Sequence, residues 1–250
     1  MAKRIQGILF DLGDTLLNYG AIDVPALFQA GAKLAYDRLQ EWGLAIPRFA
    51  RYHRRQLWGI RWSYFKSYLT GREFNAATLI ARLHEELGLQ LSPEQIRELT
   101  WLWYRPLRNV AHTEPGLADT LESFRRDGLI LGAVSNTFVP GEVLDRHLRE
   151  EGLLDLLPVR VYSCDVRHRK PDRAIFQIAA KRTGLPPAST LFVGDLLAAD
   201  IRGSHRAGMI SVLKDPLDKY VGGRIRPDHR IAKISDLRRI IDGYNGTGAT

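Results

Sequence analysis

Acidic side chains stand directly after apolar runs at two places in this chain. Asp11 and Asp14 close "GILFDLGD" (7–14), and Asp195 and Asp200 follow the run that opens "TLFVGDLLAAD" (190–200). Two further runs lead into other chemistry: "LILGAV" into Ser135 and Asn136, and "VRVYS" into the loop "CDVRHRKPD", which carries Lys170. Carboxylates brought together repel one another unless a cation joins them, and hard oxygen donors of this kind suit Mg²⁺. Thr15 and Ser135 add hydroxyls and Lys170 a positive charge, so the same place offers an anion site that a metal and a phosphate could share.

Convergence of these residues requires a particular frame. Short runs rich in aliphatic and β-branched residues at 4–10, 129–134, 159–163, 190–194 and 210–213 predict strands. Helical patterns at 116–127, 141–151, 172–183 and 198–207 separate the later ones. Such alternation predicts an α/β fold, a doubly wound Rossmann-like parallel sheet covered on both faces. Ligands of open sheets bind beyond the carboxyl ends of the strands, where the acids, hydroxyls and lysine all fall. The stretch 20–112 breaks the alternation with helical spacing at Leu27, Ala30 and Leu34 and at Leu83 and Leu87, and "SPEQ" (92–95) supplies a cap. The expected organisation is a core of 1–19 and 113–250 interrupted by an inserted helical domain, 20–112.

Composition bounds the rest. A chain of 250 residues, 45% hydrophobic and 26% charged, has the make-up of a water-soluble globular protein. Cys164 is the only cysteine, which excludes an internal disulfide and a cysteine-based zinc site and suits a reducing, cytoplasmic setting. The start "MAKRIQGILF" lacks the apolar length of a signal peptide, and no run approaches the roughly 18 residues of a membrane span, so no membrane partner is expected. The tail "GYNGTGAT" (243–250) has no apolar periodicity and is expected to be disordered. The net charge is +8, and 48–66 holds six basic residues and no acidic one. A field of this sign attracts anions of many kinds without choosing among them.

Taken in order, "FDLGDTL", "VSN", "KPD" and "VGDLLAADIRGSHRAGM" resemble the motifs of the haloacid dehalogenase-like hydrolase superfamily, and the helical insertion resembles its C1 cap. "PDHRIAKISDLRRII" resembles the final strand and helix of that core. The resemblance implies a Mg²⁺-dependent phosphatase acting on a small phosphorylated metabolite, with no nucleic-acid partner. It implies that Asp11 is the nucleophile that takes the phosphoryl group as an aspartyl-phosphate. It further implies that Ser135, helped by the Asn136 amide, holds a phosphate oxygen and that Lys170 neutralises the shared charge. Asp195 would be the acidic metal ligand, Asp200 a direct or water-mediated one, and the Gly13 carbonyl another.

One position departs from the family pattern. Phosphatases of this kind place a second Asp two residues after the nucleophile as a general acid and base, a contribution of about 10² to 10⁴ in rate. Gly13 stands there instead, and Asp14 substitutes only if the flexible Gly13 turns its carboxylate inward. The missing acid keeps alternatives open: a haloacid dehalogenase, a phosphonate hydrolase using a Schiff-base lysine such as Lys33 or Lys66, or a catalytically weak binding protein of the same fold. Trp58, Trp62, Phe65 and Leu69 form a helical stripe expected in the core of the insertion, and Arg51, Arg54, Arg55 and Arg61 are expected on a solvated face. Cys164 is expected to be a small buried residue.

Overall fold

The computed structural model describes residues 4–220 and 224–246. Six strands form one wholly parallel sheet in the order β3-β2-β1-β4-β5-β6: β1 (Gly7–Phe10), β2 (Ile130–Ser135), β3 (Val159–Tyr162), β4 (Thr190–Gly194), β5 (Ile210–Lys214) and β6 (His229–Ile231). Strands of such a sheet are covered on both faces and therefore read as continuous apolar runs, as "GILF" does. Ile8 and Phe10 point into one layer and Leu9 into the other, so the period-two pleat sorts β1 between two cores.

One layer packs α5 (Leu117–Arg126), α6 (Gly141–Glu150) and α10 (Leu237–Asn245) on the sheet through Leu121, Phe124, Leu144, Leu148, Leu237 and Ile241. The other packs α8 (Arg173–Thr183) and α9 (Arg202–Ala207) through Ile175, Phe176, Ala179 and Ala207. The short helix α7 (Ser163–Val166) follows β3.

Between β1 and α5 lie four helices and no strand: α1 (Val24–Glu41), α2 (Phe49–Thr70), α3 (Ala76–Glu85) and α4 (Pro93–Val110). They enclose a core of their own around Ala32, Ala35, Leu39, Tyr52, Ile80, Leu99 and Leu102. Where the chain leaves and re-enters the sheet domain, Asn18 and His112 pair through both backbone bonds, 2.8 and 2.9 Å. Ser92 and Gln95 form the capping box that opens α4.

Four expectations require correction. Trp58, Trp62, Phe65 and Leu69 do not enter a core; they are half to two-thirds exposed, because α2 packs through Tyr52, Gln56 and Ser67 on another face. On α1 the buried face is Gly31, Ala32, Ala35 and Leu39, while Ala30 is exposed; Gly31 allows a close approach, since a Cβ there would stand 2.5 Å from the Trp103 carbonyl oxygen. The stretch 198–207 is not one α-helix: Leu197–Ile201 is a π turn that leads into α9. Residues 243–245 complete α10, and the Asn245 side chain holds the Ile5 backbone through bonds of 2.8 and 3.2 Å; the rest of the expected disorder, 247–250, lies outside the described residues.

Candidate active site

Pairing of β1 with both neighbours puts Asp11 at the middle of the sheet's carboxyl edge, and its backbone N–H extends the ladder to the Val193 carbonyl at 2.8 Å. The chain then turns sharply: the Leu12 carbonyl accepts from the N–H groups of Thr15, Leu16 and Leu17. Inside this turn Asp14 has a left-handed φ of 51°, a conformation that Asp tolerates better than most residues. Its carboxylate is exposed and accepts from the Tyr19 N–H at 3.0 Å, so in this arrangement it caps the loop. Thr15 is fully buried with no partner for its Oγ1, and its carbonyl accepts from Lys214 Nζ at 2.7 Å.

From the neighbouring strands come the remaining groups. Lys170 is buried, with Nζ 2.6 Å from Asp11 Oδ1 and 2.7 Å from Asp200 Oδ1. Asn136 spends its side chain on the lysine's backbone: Nδ2 donates to the Lys170 carbonyl at 2.9 Å and Oδ1 accepts from its N–H at 2.7 Å. Ser135 closes β2 as a buried hydroxyl between these elements. Asp200 is carried inward by the π turn and its Oδ2 accepts from the Leu196 N–H at 2.9 Å. Only glycine fits at 194, since a Cβ there would stand 2.4 Å from Asp200 Cγ.

Carboxylate oxygens of Asp11, Asp195 and Asp200 lie within 4.8 Å of one another. Three acids beside one lysine leave an excess of negative charge in a largely buried place. Burial raises the Asp11 carboxyl to about 6, with the Asp200 charge adding to the rise and Lys170 opposing it. Burial, then the charges of Asp11 and Asp200, lifts Asp195 to about 7. For Lys170, burial works to lower the pKa, and the attraction of Asp11 and Asp200 outweighs it, leaving the ammonium held above its ordinary value. Asp195 Oδ1 is buried without a hydrogen-bond partner. An orphaned carboxylate oxygen among like charges has the chemistry of a divalent-cation donor. The residues present therefore fit a cation. Asp11 and Asp195 face it most freely, because both oxygens of Asp200 are already engaged.

Two sets of residues escaped the sequence reading. Lys214, buried at the end of β5, reaches across to the Thr15 carbonyl, the Asn18 side chain at 3.1 Å and Glu114 at 2.7 Å, and so fixes the loop after β1. Its signal was a charge ending the fifth strand, in line with the other site residues. The second set ties the helical domain to the sheet domain. Buried Glu73 accepts from Arg169 at 3.1 Å, Ser67 at 3.0 Å and Ser163 at 3.2 Å, while Phe74 stacks on Phe138 at 5.0 Å and the Ala76 N–H donates to the Phe138 carbonyl. Among the basic residues of α2, Arg55 pairs with Glu86, Arg51 and Arg54 are exposed, and Arg61 stands at the rim of an apolar pocket. Cys164 is buried, as expected. Among the described residues no helix is long and apolar enough to cross a membrane.

Comparison with known proteins places this geometry in context. Residues 5–208 match the family model of the haloacid dehalogenase-like hydrolases. The chain is 36% identical to a glyceraldehyde 3-phosphate phosphatase of Methanopyrus kandleri, over 39% of this chain and 41% of that protein. It is 25% identical to a ribulose-1,5-bisphosphate 5-phosphatase of Halopiger xanaduensis over 94% of this chain and 98% of that one. Among solved structures, a 2-haloacid dehalogenase from Pseudomonas syringae shares the fold with a TM-score of 0.68 at 22% identity, covering 96% of this chain and 99% of its own. A putative hydrolase from Bacillus subtilis, YfnB, bound to magnesium, does so with a TM-score of 0.59 at 23% identity, covering 96% and 100%. A family model that spans most of the sheet domain and the whole insertion, with its motif residues gathered at one edge of the sheet, makes this chain a member of the haloacid dehalogenase-like hydrolases.

Proposed function

We propose that the protein is a phosphoric monoester hydrolase that uses Asp11 as nucleophile and works with a bound Mg²⁺, the four-helix insertion serving as a C1-type cap over the site. The observation that carries this reading is the cluster of Asp11, Asp195 and Asp200 with its orphaned Asp195 oxygen. A dehalogenase has no use for that excess of acid, whereas a metal-assisted phosphatase does.

In this reading Asp11, Asp195 and the Gly13 carbonyl hold the metal and Asp200 supports it from its place beside Lys170. When bound, Mg²⁺ supplies charge neutralisation for the phosphoryl oxygens and keeps the neighbouring carboxylates ionised. Asp11 presents an oxygen to phosphorus, forms the aspartyl-phosphate bond as the ester oxygen departs, and is freed again by water. Lys170, held in place by Asn136, balances the charge that Asp11 and the phosphoryl group share. Ser135 and the Asn136 N–H receive a phosphoryl oxygen, and Thr15 lends its buried hydroxyl to the same loop. Asp14, turned toward Tyr19, is poorly placed to protonate the leaving oxygen, so esters and anhydrides with acidic leaving groups are the preferred substrates.

The test is phosphate release from p-nitrophenyl phosphate with and without Mg²⁺, beside halide release from 2-chloropropionate. Phosphate release that needs Mg²⁺ and is lost in Asp11→Asn and Asp195→Asn supports the proposal. Metal-independent halide release, with no phosphatase activity, refutes it in favour of dehalogenation.

A further inference from the structure

A pocket of about 680 Å³ lies at the end of the helical bundle formed by the start of α1, the first half and middle of α2, the start of α3 and the second half of α4. Phe28, Leu57, Ile60, Phe74, Leu79 and Leu107 give it an apolar wall. Its size falls within the range of small-molecule sites, about 300–1,000 Å³. Packed interiors keep few voids larger than a water molecule, so apolar surface left uncovered on this scale calls for an occupant.

Two observations say what the occupant is. Two walls of the pocket reach toward the loops that carry the acid cluster. Tyr104 lines the pocket and donates a hydrogen bond to Tyr19, whose ring stands 3.6 Å from where a Gly13 Cβ would be. On the other side Phe138 and Val139 line it, on the loop that follows Ser135. The pocket therefore adjoins both the loop after β1 and the loop after β2, the loops that flank Asp11 and Ser135. The second observation is Gln56: it is 1% exposed, faces the pocket, and its Nε2 has no hydrogen-bond partner. His53 Nε2, also buried at the pocket, lacks one too. Buried donors without partners are costly, and a ligand carrying one matching acceptor removes that cost.

We infer that this pocket receives the leaving group of the substrate, and that the substrate class is a phosphate ester of a ring-bearing, largely apolar group with a hydrogen-bond acceptor directed at Gln56. The inference rests on the phosphatase reading above and narrows it. A bare sugar phosphate fits poorly, because several hydroxyls would enter a wall that offers few polar partners. Arg61 at the rim meets solvent rather than the buried group.

Phenyl phosphate and 2-naphthyl phosphate test this, since their phenols are of similar acidity and differ mainly in apolar size. Four further ring carbons, at roughly fourfold per fully buried carbon, set a ceiling of roughly 200-fold on the gain in kcat/KM, and half burial gives at least about tenfold. Leu57→Trp, which fills the pocket, should bring the naphthyl-to-phenyl ratio close to one; Ile60→Phe is a milder filling should the first variant fail to fold. Titration with 2-naphthol, followed by its fluorescence, measures the pocket without turnover. Hydrolysis of both esters at a ratio near one, or a ratio that both fillings leave unchanged, overturns the inference. If neither ester is hydrolysed, the phosphatase reading fails instead, and the titration decides alone: saturable binding weakened by filling supports the pocket, and its absence overturns it.

Discussion

Asp14→Asn separates a proton-transfer role from a loop-capping role with little structural disturbance. Asparagine keeps an oxygen that can accept from the Tyr19 N–H, and it adopts the left-handed φ of 51° as readily as aspartate. What is lost is the charge on one exposed hydrogen bond. A charge-assisted bond exceeds a neutral one by about 1 kcal/mol, and exposure to water reduces that, so folding stability should fall by less than about 1 kcal/mol. A general acid contributes about 10² to 10⁴ in rate, some 3 to 5 kcal/mol at the transition state. The two roles thus predict losses of different size. With Asp14 held at Tyr19, kcat for an aryl phosphate with an acidic phenol should fall less than about tenfold in Asp14→Asn, while Asp11→Asn abolishes turnover. Across a series of aryl phosphates, kcat/KM of the wild type should decline as the leaving-group pKa rises. A flat dependence, or a loss in Asp14→Asn of about 10² or more that grows with leaving-group pKa, would refute the reasoning and show that the loop swings Asp14 inward during turnover.

Three further outcomes follow from the packing. Gly194→Ala should cost at least about 3 kcal/mol in urea unfolding and most of the activity, because its Cβ would stand 2.4 Å from Asp200 Cγ and must displace the partner of Lys170; Gly132→Ala, which meets the Val159 carbonyl instead, should lose stability while the folded enzyme keeps its kcat. His147 is fully buried on the Tyr104 hydroxyl at 2.8 Å, and burial lowers its pKa to about 4. The unfolded chain takes up this proton near pH 6.5 and the folded one only near pH 4, so stability falls as the pH drops through that window; relative to His147→Gln, the wild type should lose on the order of 2–3 kcal/mol between pH 7 and pH 4, and parallel curves would contradict this. Glu73→Gln removes the charge that Arg169 pairs with, a loss of about 2–3 kcal/mol in local stability given that Arg169 is partly exposed; the Ala76 amide, bonded to the Phe138 carbonyl, should then exchange its hydrogen about 30-fold faster or more, and an unchanged rate would rule out a latch at Glu73.

The sheet was legible because burial on both faces leaves a plain mark: "GILF" and "TLFVG" are apolar without interruption, and chemistry begins where they stop. The same reasoning brought Asp11, Lys170, Asp195 and Asp200 to one edge, since the carboxyl ends of parallel strands all face the same way. The helical insertion was legible as helix but not as packing. Trp58, Trp62, Phe65 and Leu69 have helical spacing, yet α2 turns Tyr52, Gln56 and Ser67 inward, because its neighbours offer polar groups and a pocket on that side. Periodicity tells that a face exists, and only the partner helices tell which face is covered. Asp14 was undecided in sequence because its direction depends on a single dihedral angle, and the bond to Tyr19 that fixes it is local and leaves no pattern. The grip of Asn136 on the Lys170 backbone joins residues 34 apart and lies equally beyond spacing arguments.

The central place of β1 has a consequence for how the molecule is made. Gly7 pairs with Ile130 on one side and with Thr190 on the other, so β1, once it leaves a ribosome, waits for partners more than 120 and 180 positions behind it. At about 5–20 residues per second, the first arrives roughly 6–25 seconds later and the second roughly 9–37 seconds later. Throughout that interval "GILF" is an apolar segment with neither edge paired. The helices that emerge meanwhile make contacts mostly near in sequence and can assemble around Ala35, Leu39, Tyr52 and Leu99 before any sheet exists. Synthesis therefore includes a stage in which the insertion can be folded while the strand that leads to Asp11 is bare, and it is at this stage that the nascent chain most needs shielding from its neighbours.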